Sequence, residues 1–391
     1  MKRAIKASWF VMGIGVLSTN STVAQSSATL YGAIDDAIVY ANNQKGQSNV
    51  YLRQGNLAAS KWGLKGVADL GSGLAAIFDI QAGFDLNTGA ASSSGLLFNR
   101  QAYVGLRSNT GGTITAGRQY TPYLLFVGPL APSTWLTGAT GAHPGDVDGL
   151  DTTIRVNNSL TYTSPTIAGL QGSLMYALGG IAGSTGKGQT LSGALSYSIG
   201  PVNLAAGYLQ MDNAGGTATP GFGTASTASF GTSSLNQGYL SARSVRHVAA
   251  AGNYAFGDAT FGLNYSNIRY LPGGASLYAN TAVFNTYGAL VVYRFTPAFD
   301  LAGAFSYTLA SKANGINEAA RYQQYSLKES YHLSKRTTLY ALQAWQHSGG
   351  ETLNATGRIT EAKPSVGDAE NATPSSVRGQ FVGMLGLTVL F

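Results

Sequence analysis

Few residues in this chain are equipped for bond-making chemistry. His143, His247, His332 and His347 are scattered, and none has a second ligand-type residue at metal spacing. Cysteine is absent, which excludes thiolate zinc sites, cysteine nucleophiles, disulfide scaffolds and thiolate-held iron–sulfur clusters. No Gly-x-Ser-x-Gly elbow occurs. The chemistry that remains is electrostatic. Lys61 shares a face with Lys65 and Asp69, opposite Trp62, Leu64, Ala68 and Leu70. Arg155 shares a face with Asn157, Ser159, Thr161 and Thr163, opposite Ile154, Val156, Asn158, Leu160 and Tyr162. Period-2 alternation therefore places both cations on watery faces. Three acids, Asp146, Asp148 and Asp151, fall late in a long connection, 121–152, whose middle from Gly128 to Leu136 is neutral and apolar. His143 in that connection reads as a solvated loop residue. Arg118 is the exception, because it falls with Ile114, Ala116 and Tyr120 in the apolar set of its strand. Either the alternation slips there or another subunit covers the strand.

The elements that must position these charges are strands. Helical periodicity is nearly absent, whereas alternation recurs from Thr29 to Phe391. Leu74, Ala76, Phe78, Ile80, Ala82, Phe84 and Leu86 form one face against Asp79, Gln81 and Asp85. The same split recurs around Leu195, Leu263 and Leu301. Tight links at Gly71-Ser72-Gly73, Asn109-Thr110-Gly111-Gly112, Gly200-Pro201, Gly257-Asp258, Pro297-Ala298 and Ser334-Lys335-Arg336 alternate with long Gly/Ser/Thr/Asn-rich stretches at 42–57, 121–152, 213–243 and 349–376. Short turns at one end and long loops at the other describe an up-and-down sheet of about sixteen strands. Closure removes the edges of so large a sheet, and a barrel of that size has a lumen too wide for side chains to fill. The expected fold is all-β: a transmembrane antiparallel barrel with lipid outside, water inside and Tyr/Phe girdles near the strand ends. Tyr31, Tyr40, Tyr162, Tyr197, Tyr254, Tyr293, Phe295 and Phe391 fit the girdle positions.

Composition agrees. Of 391 residues, 44% are hydrophobic and only 10% charged, with 52 Gly and 22 Tyr; an ordinary soluble domain carries roughly a quarter charged residues. Disorder is excluded by the apolar content, and no apolar run beyond the N-terminus reaches the ~18 residues of a helical span. Lys2, Arg3 and Lys6, the apolar run from Trp9 to Leu17 and the small residues up to Ala24 follow the order of a cleaved secretory signal, expected over residues 1–24. The barrel then occupies 25–391. Without those three basic residues, 24 Lys+Arg become 21 against 17 Asp+Glu, a mature charge of +4. That is too small and dispersed for a nucleic-acid partner, and no metal or cofactor is implied.

Several motifs together resemble the general trimeric porins of the Gram-negative, beta-proteobacterial outer membrane. They are Thr29-Leu30-Tyr31-Gly32, Trp62-Gly63-Leu64-Lys65-Gly66, Asp69-Leu70-Gly71-Ser72-Gly73-Leu74, Arg100-Gln101-Ala102-Tyr103-Val104-Gly105-Leu106, Gly117-Arg118-Gln119-Tyr120, Asn157-Asn158-Ser159-Leu160-Thr161-Tyr162, Leu333-Ser334-Lys335-Arg336-Thr337 and the terminal Phe391. The resemblance runs through nearly the whole mature chain. It implies a 16-stranded homotrimer in outer-membrane lipid whose third long loop, here 121–152, folds inward and narrows the pore. It also implies basic wall positions, matched by Lys61, Arg100 and Arg155, facing acids on the loop, for which Asp146, Asp148 and Asp151 are the candidates. Phe391 matches the signal read by the outer-membrane assembly machinery. The family's usual acidic segment in the third loop is not recognisable here, and a basic wall without that counterpart would favour anions. The expected function is passive diffusion of ions and small hydrophilic solutes with weak to moderate anion preference. A sugar- or organic-anion-specific channel is the alternative, with Tyr120, Tyr123 and Trp135 near the third loop as its aromatic contacts. A surface adhesin would need a fixed repeat, and none is visible. An enzyme lacks its residues.

Overall fold

The computed structural model describes residues 26–136, 138–151, 154–213, 226–228, 233–368 and 372–391. The segment expected to be the secretory signal, 1–24, lies outside them. Among the described residues an eighteen-stranded sheet closes on itself: the strand Ser27–Gln44 pairs antiparallel with Gly379–Leu390, from Ala33 opposite Leu390 to Ala41 opposite Val382. Sixteen strands make the wall. Of the other two, Gln47–Gln54 continues the Lys61–Gly71 strand across a break, both lying along Ser27–Gln44, and Ser226–Ala228 is a short addition to Ile154–Thr163.

Alternation explains the wall. Along Ala282–Thr296, Phe284, Thr286, Gly288 and Leu290 are buried inside, while Tyr287, Val291, Tyr293 and Phe295 are exposed outside. Tyr40, Tyr162, Tyr254, Tyr293, Phe295 and Phe391 stand exposed as girdle residues should. Tyr31 does not: it turns inward, and its hydroxyl donates to Asp79 at 2.5 Å. Phe391 closes the barrel by exchanging backbone hydrogen bonds with Gly32 at 2.9 and 3.1 Å. Its ring occupies the space a Cβ at residue 32 would need, so glycine is required there.

Stretch 42–57, expected to be a loop, is a hairpin. Strand continues to Gln44, turns at Lys45-Gly46 with φ of 54° and 101°, and resumes at Gln47. Outward Val50 and Leu52 keep the alternation that its polar composition masks. The break that follows, between Gln54 and Lys61, is held by buried Asp35, whose carboxylate accepts the backbone N–H groups of Asn56 and Leu57 at 2.7 and 3.1 Å.

The interior is not uniformly wet. On one side, Tyr123, Val127, Ile154, Val156, Leu209, Met211, Tyr270, Phe284 and Tyr322 form a dry core between the wall and the third loop. A small polar cavity lies on the other side.

Candidate functional site

The third loop is built from short helical pieces that the barrel must hold. It enters at Thr121, whose Oγ1 caps helix α1 (Pro122–Val127) by accepting the Leu124 N–H at 3.2 Å, with a proline in the first turn. Helix α1 lies against strands Thr190–Ile199 and Val202–Asp212, and the Tyr123 N–H donates to Ser192 Oγ at 3.1 Å. Gly207 clears the seat, since a Cβ there would stand 3.1 Å from the Tyr123 ring. After α2 (Pro132–Trp135), the piece α3 (Gly138–Gly141) crosses the lumen. Arg53 hydrogen-bonds Thr140 from one wall, and Gln324 Nε2 donates to the Ala142 carbonyl at 2.7 Å from another.

The return limb is clamped by a buried histidine–carboxylate contact. His143 Nδ1 lies 2.6 Å from Asp148 Oδ2, and Ser266 Oγ on the wall donates to the same oxygen at 2.7 Å. The Asp148 carbonyl accepts from Tyr123 Oη at 2.9 Å and lies 2.9 Å from His247 Nδ1. Burial pushes the Asp148 carboxyl up, but adjacent His143, with Ser266 and His247, holds it below the ordinary carboxylate range. Burial, reinforced by Asp148 and Asp146, pushes the Tyr123 hydroxyl well above its usual value. His143 is therefore an internal clamp and not the solvated residue expected from its loop position; it is 3% exposed.

This arrangement separates the three loop acids. Asp148 is fully buried and faces the clamp, not the passage, and Asp146 is also fully buried, accepting the Asp151 N–H at 3.0 Å. Asp151 lines a polar cavity of about 80 Å³ together with Arg100, Arg155, Ser60, Asn99 and Asp368. The guanidinium carbons of Arg100 and Arg155 lie 5.9 and 5.6 Å from the centre of the Tyr120 ring. Arg100 Nε donates to Gln81 Oε1 at 3.0 Å. Lys61 is not among the cavity-lining residues but is near enough to Arg100 and Arg155 for their charges to act on it.

Arg155 reaches this place by a route the alternation misreads. The pairing of Gly112–Tyr120 with Ile154–Thr163 shifts between Gly117 and Gln119, opposite Asn157 and Asn158, and Asn158 has φ of 52°. The bulge reverses the faces, so Ile154 and Val156 join the dry core, and Arg155 comes to the cavity at the strand end beside Tyr120. Arg118 keeps its place opposite Ala102, but its guanidinium is covered: Nε donates to the Asn99 carbonyl at 2.7 Å and Nη1 to Asn157 Oδ1 at 2.5 Å. Of the loop aromatics, Tyr123 is fully buried, and half-buried Trp135 donates through Nε1 to the Asn253 side-chain oxygen at 2.9 Å with that amide in its satisfied orientation.

Asp368 is the contributor that no periodicity announced. The last long loop also folds inward, and Gln346 and Gln380 accept the Ser365 and Val366 N–H groups at 2.7 and 2.6 Å. These anchors deliver Asp368, 5% exposed, to the cavity. Among the described residues no group of His, Asp or Glu is arranged to hold a metal ion.

A closed sixteen-stranded barrel, apolar outside and with loops folded into its lumen beside a charged polar cavity, has the architecture of a membrane channel. The chain belongs to the Gram-negative porin family, whose profile matches residues 12–350. It is accordingly an outer-membrane porin, a multi-pass β-barrel channel for passive diffusion of ions and small hydrophilic solutes. An outer membrane porin protein of Bordetella pertussis is 28% identical over 375 residues, covering 87% of this chain and 93% of that protein. Outer membrane porin protein 32 of Delftia acidovorans is 32% identical over 229 residues, 54% of this chain and 62% of the relative. In fold, the chain superposes on the anion-selective porin from Comamonas acidovorans with a TM-score of 0.70 at 20% identity, over 94% of this chain and all of that one.

Proposed function

We propose that this porin is a general diffusion channel with weak to moderate anion preference, whose selectivity is set at the cavity between the basic wall and the two inward loops. The observation that carries this reading is the meeting of Arg100 and Arg155 with Asp151 and Asp368 around one cavity of about 80 Å³, with Lys61 adding a third cation nearby. Three cations against two carboxylates leave a small positive excess, and an excess of one sign concentrates the opposite ion. Asp368 adds to Asp151 part of the counter-charge that the neutral middle of the third loop lacks, which makes the preference modest. The anion selectivity named for the Comamonas relative points the same way.

Assembly as a homotrimer, export by cleavage after Ala24 and delivery by the outer-membrane assembly machinery through Phe391 complete the proposal. A solved barrel of similar fold, from Vibrio cholerae, is described in a trimer form. Outward-row Arg118, withdrawn from lipid by Asn99 and Asn157, suits a wall that a neighbouring subunit covers. The sugar-selective reading draws less support, because Tyr123 is buried and Trp135 is engaged with Asn253. Planar-bilayer recording of the purified protein tests the proposal: ion-conducting steps with a small anion-directed reversal potential across a salt gradient are expected, and cation preference would overturn it.

A further inference from the structure

The short-turn mouth of the lumen holds a cluster of titratable groups far from the cavity between the loops. Gln324 reaches the third loop from strand Arg321–His332, so its row, continued by Ser326, Lys328, Ser330 and His332, faces the lumen. His332 ends that strand, beside the Leu333-Ser334-Lys335-Arg336 turn. Asp300 stands on the neighbouring strand Phe299–Ala310, and Thr338, on Thr337–Gly349, is the direct cross-strand partner of His332. His332 Nε2 lies 2.6 Å from Asp300 Oδ2, and His332 Nδ1 lies 3.0 Å from Thr338 Oγ1. Lys328 Nζ lies 3.9 Å from the other carboxylate oxygen, Asp300 Oδ1.

These partners suit both charge states of the ring. An ionised carboxylate only accepts, so Nε2 carries a proton toward Asp300; a hydroxyl donates or accepts, so Nδ1 takes the Thr338 proton when bare and gives its own when protonated. Both hydrogen bonds survive the change, and the ring is charged without moving a strand. Solvent reaches it, since the His332 side chain is 38% exposed. The other three histidines do not compete for this role: His143 and His247 are buried at the loop clamp, and His347 stands on the outer row, stacked on Trp345 with ring centres 5.7 Å apart. Of the surrounding charges, Arg294 is the cross-strand partner of Asp300, and its N–H donates to the carbonyl of Asp258 in the next turn at 3.0 Å. Lys335 and Arg336 are exposed in the adjoining turn. Glu329 belongs to the outer row, where it accepts from Gln343 Nε2 at 3.4 Å. On the lumen side Asp300 is thus one carboxylate among Arg294, Lys328 and His332.

We propose that this cluster is a second selectivity site, tuned by protons: protonation of His332 adds a positive charge at the short-turn mouth and raises the preference for anions as pH falls. Histidine is the side chain whose ordinary change of charge falls between about pH 5 and 8. A cationic ring also competes with Lys328 for Asp300, which leaves the ammonium freer to face the lumen. Both consequences have the same sign, because an excess of positive charge in a water-filled mouth concentrates anions.

The test measures reversal potentials of the full-length channel in a potassium chloride gradient at or below about 0.1 M, near pH 7.5 and near pH 5.5. The anion-to-cation permeability ratio of the wild-type protein should rise roughly twofold on acidification, the effect of about one added unit charge within a Debye length of the ion path. His332→Gln, which keeps a donor and an acceptor but no titrating site, should match the wild-type protein near pH 7.5 and show no rise. In the wild-type protein, acidifying only the chamber that faces the short turns should reproduce the rise, and acidifying only the other should not, a sidedness that needs no variant. Equal unit conductance of both proteins in about 1 M salt, where the Debye length is about 3 Å, shows that the barrel is intact. An undiminished rise in His332→Gln, an equal response from both chambers, or no rise in the wild-type protein would each overturn the proposal. Each reading compares a protein with itself at two pH values, so cation preference at neutral pH would overturn the selectivity assigned to the cavity and leave this inference standing.

Discussion

The two sides of the lumen obey different rules. Around Arg100, Arg155, Asp151 and Asp368 the surfaces are charged and bound a small polar cavity. Around Tyr123, Leu209, Met211, Tyr270 and Tyr322 they are apolar, packed and closed. The dry side exists because the third loop cannot stand alone: its helical pieces are four to six residues long, too short to persist in water without tertiary burial. Packing α1 on an apolar wall fixes the loop, and a fixed loop holds Asp151 at the polar cavity. In the proposed reading one side is a seat and the other is the channel, so their responses to substitution should separate.

The largest effect is expected on the dry side. Tyr123→Ala removes a fully buried ring and the hydroxyl that donates to the Asp148 carbonyl, at a cost of about 3–5 kcal/mol. Thermal unfolding should begin earlier and single-channel conductance should rise as the loop loosens. Normal conductance in a destabilised variant would break the link between seat and passage.

Acid should produce a smaller effect through the clamp. The folded state holds the Asp148 carboxyl below its ordinary value, so its stabilisation is complete above the unfolded carboxyl pKa of about 4 and is lost as pH falls through the lower folded value. Conductance should stay level down to about pH 4 and increase below it. Asp148→Asn should be loosened already at neutral pH and should lack the acid step in pH-resolved bilayer recordings. The smallest effect belongs to the wet side: Ser92→Ala, at the cavity wall, removes one of the two hydroxyls that accept from Asn99 Nδ2 and should lower thermal stability by about 0.5–1.5 kcal/mol.

The division between what sequence reveals and what it hides follows the same boundary. Wall strands are legible because lipid imposes period 2 on every one of them, as along Ala282–Thr296. The hairpin within 42–57 was hidden by polar composition although Val50 and Leu52 alternate. Alternation alone gives Arg155 the face of Ser159, because nothing in the sequence marks the bulge at Asn158. Loop residues carry no period at all. The positions of His143, Asp148 and Asp368 depend on partners 118 residues away in Ser266 or on anchors such as Gln346 and Gln380, and only the folded barrel brings these together.

Reversal potential in a potassium chloride gradient tests the balance of charge at the passage most directly. Wild-type protein should show weak anion preference, Arg100→Ala/Arg155→Ala should move to cation preference, and Asp151→Asn/Asp368→Asn should become strongly anion-selective. Identical reversal potentials in all three proteins would contradict the account and place the selective region elsewhere in the barrel.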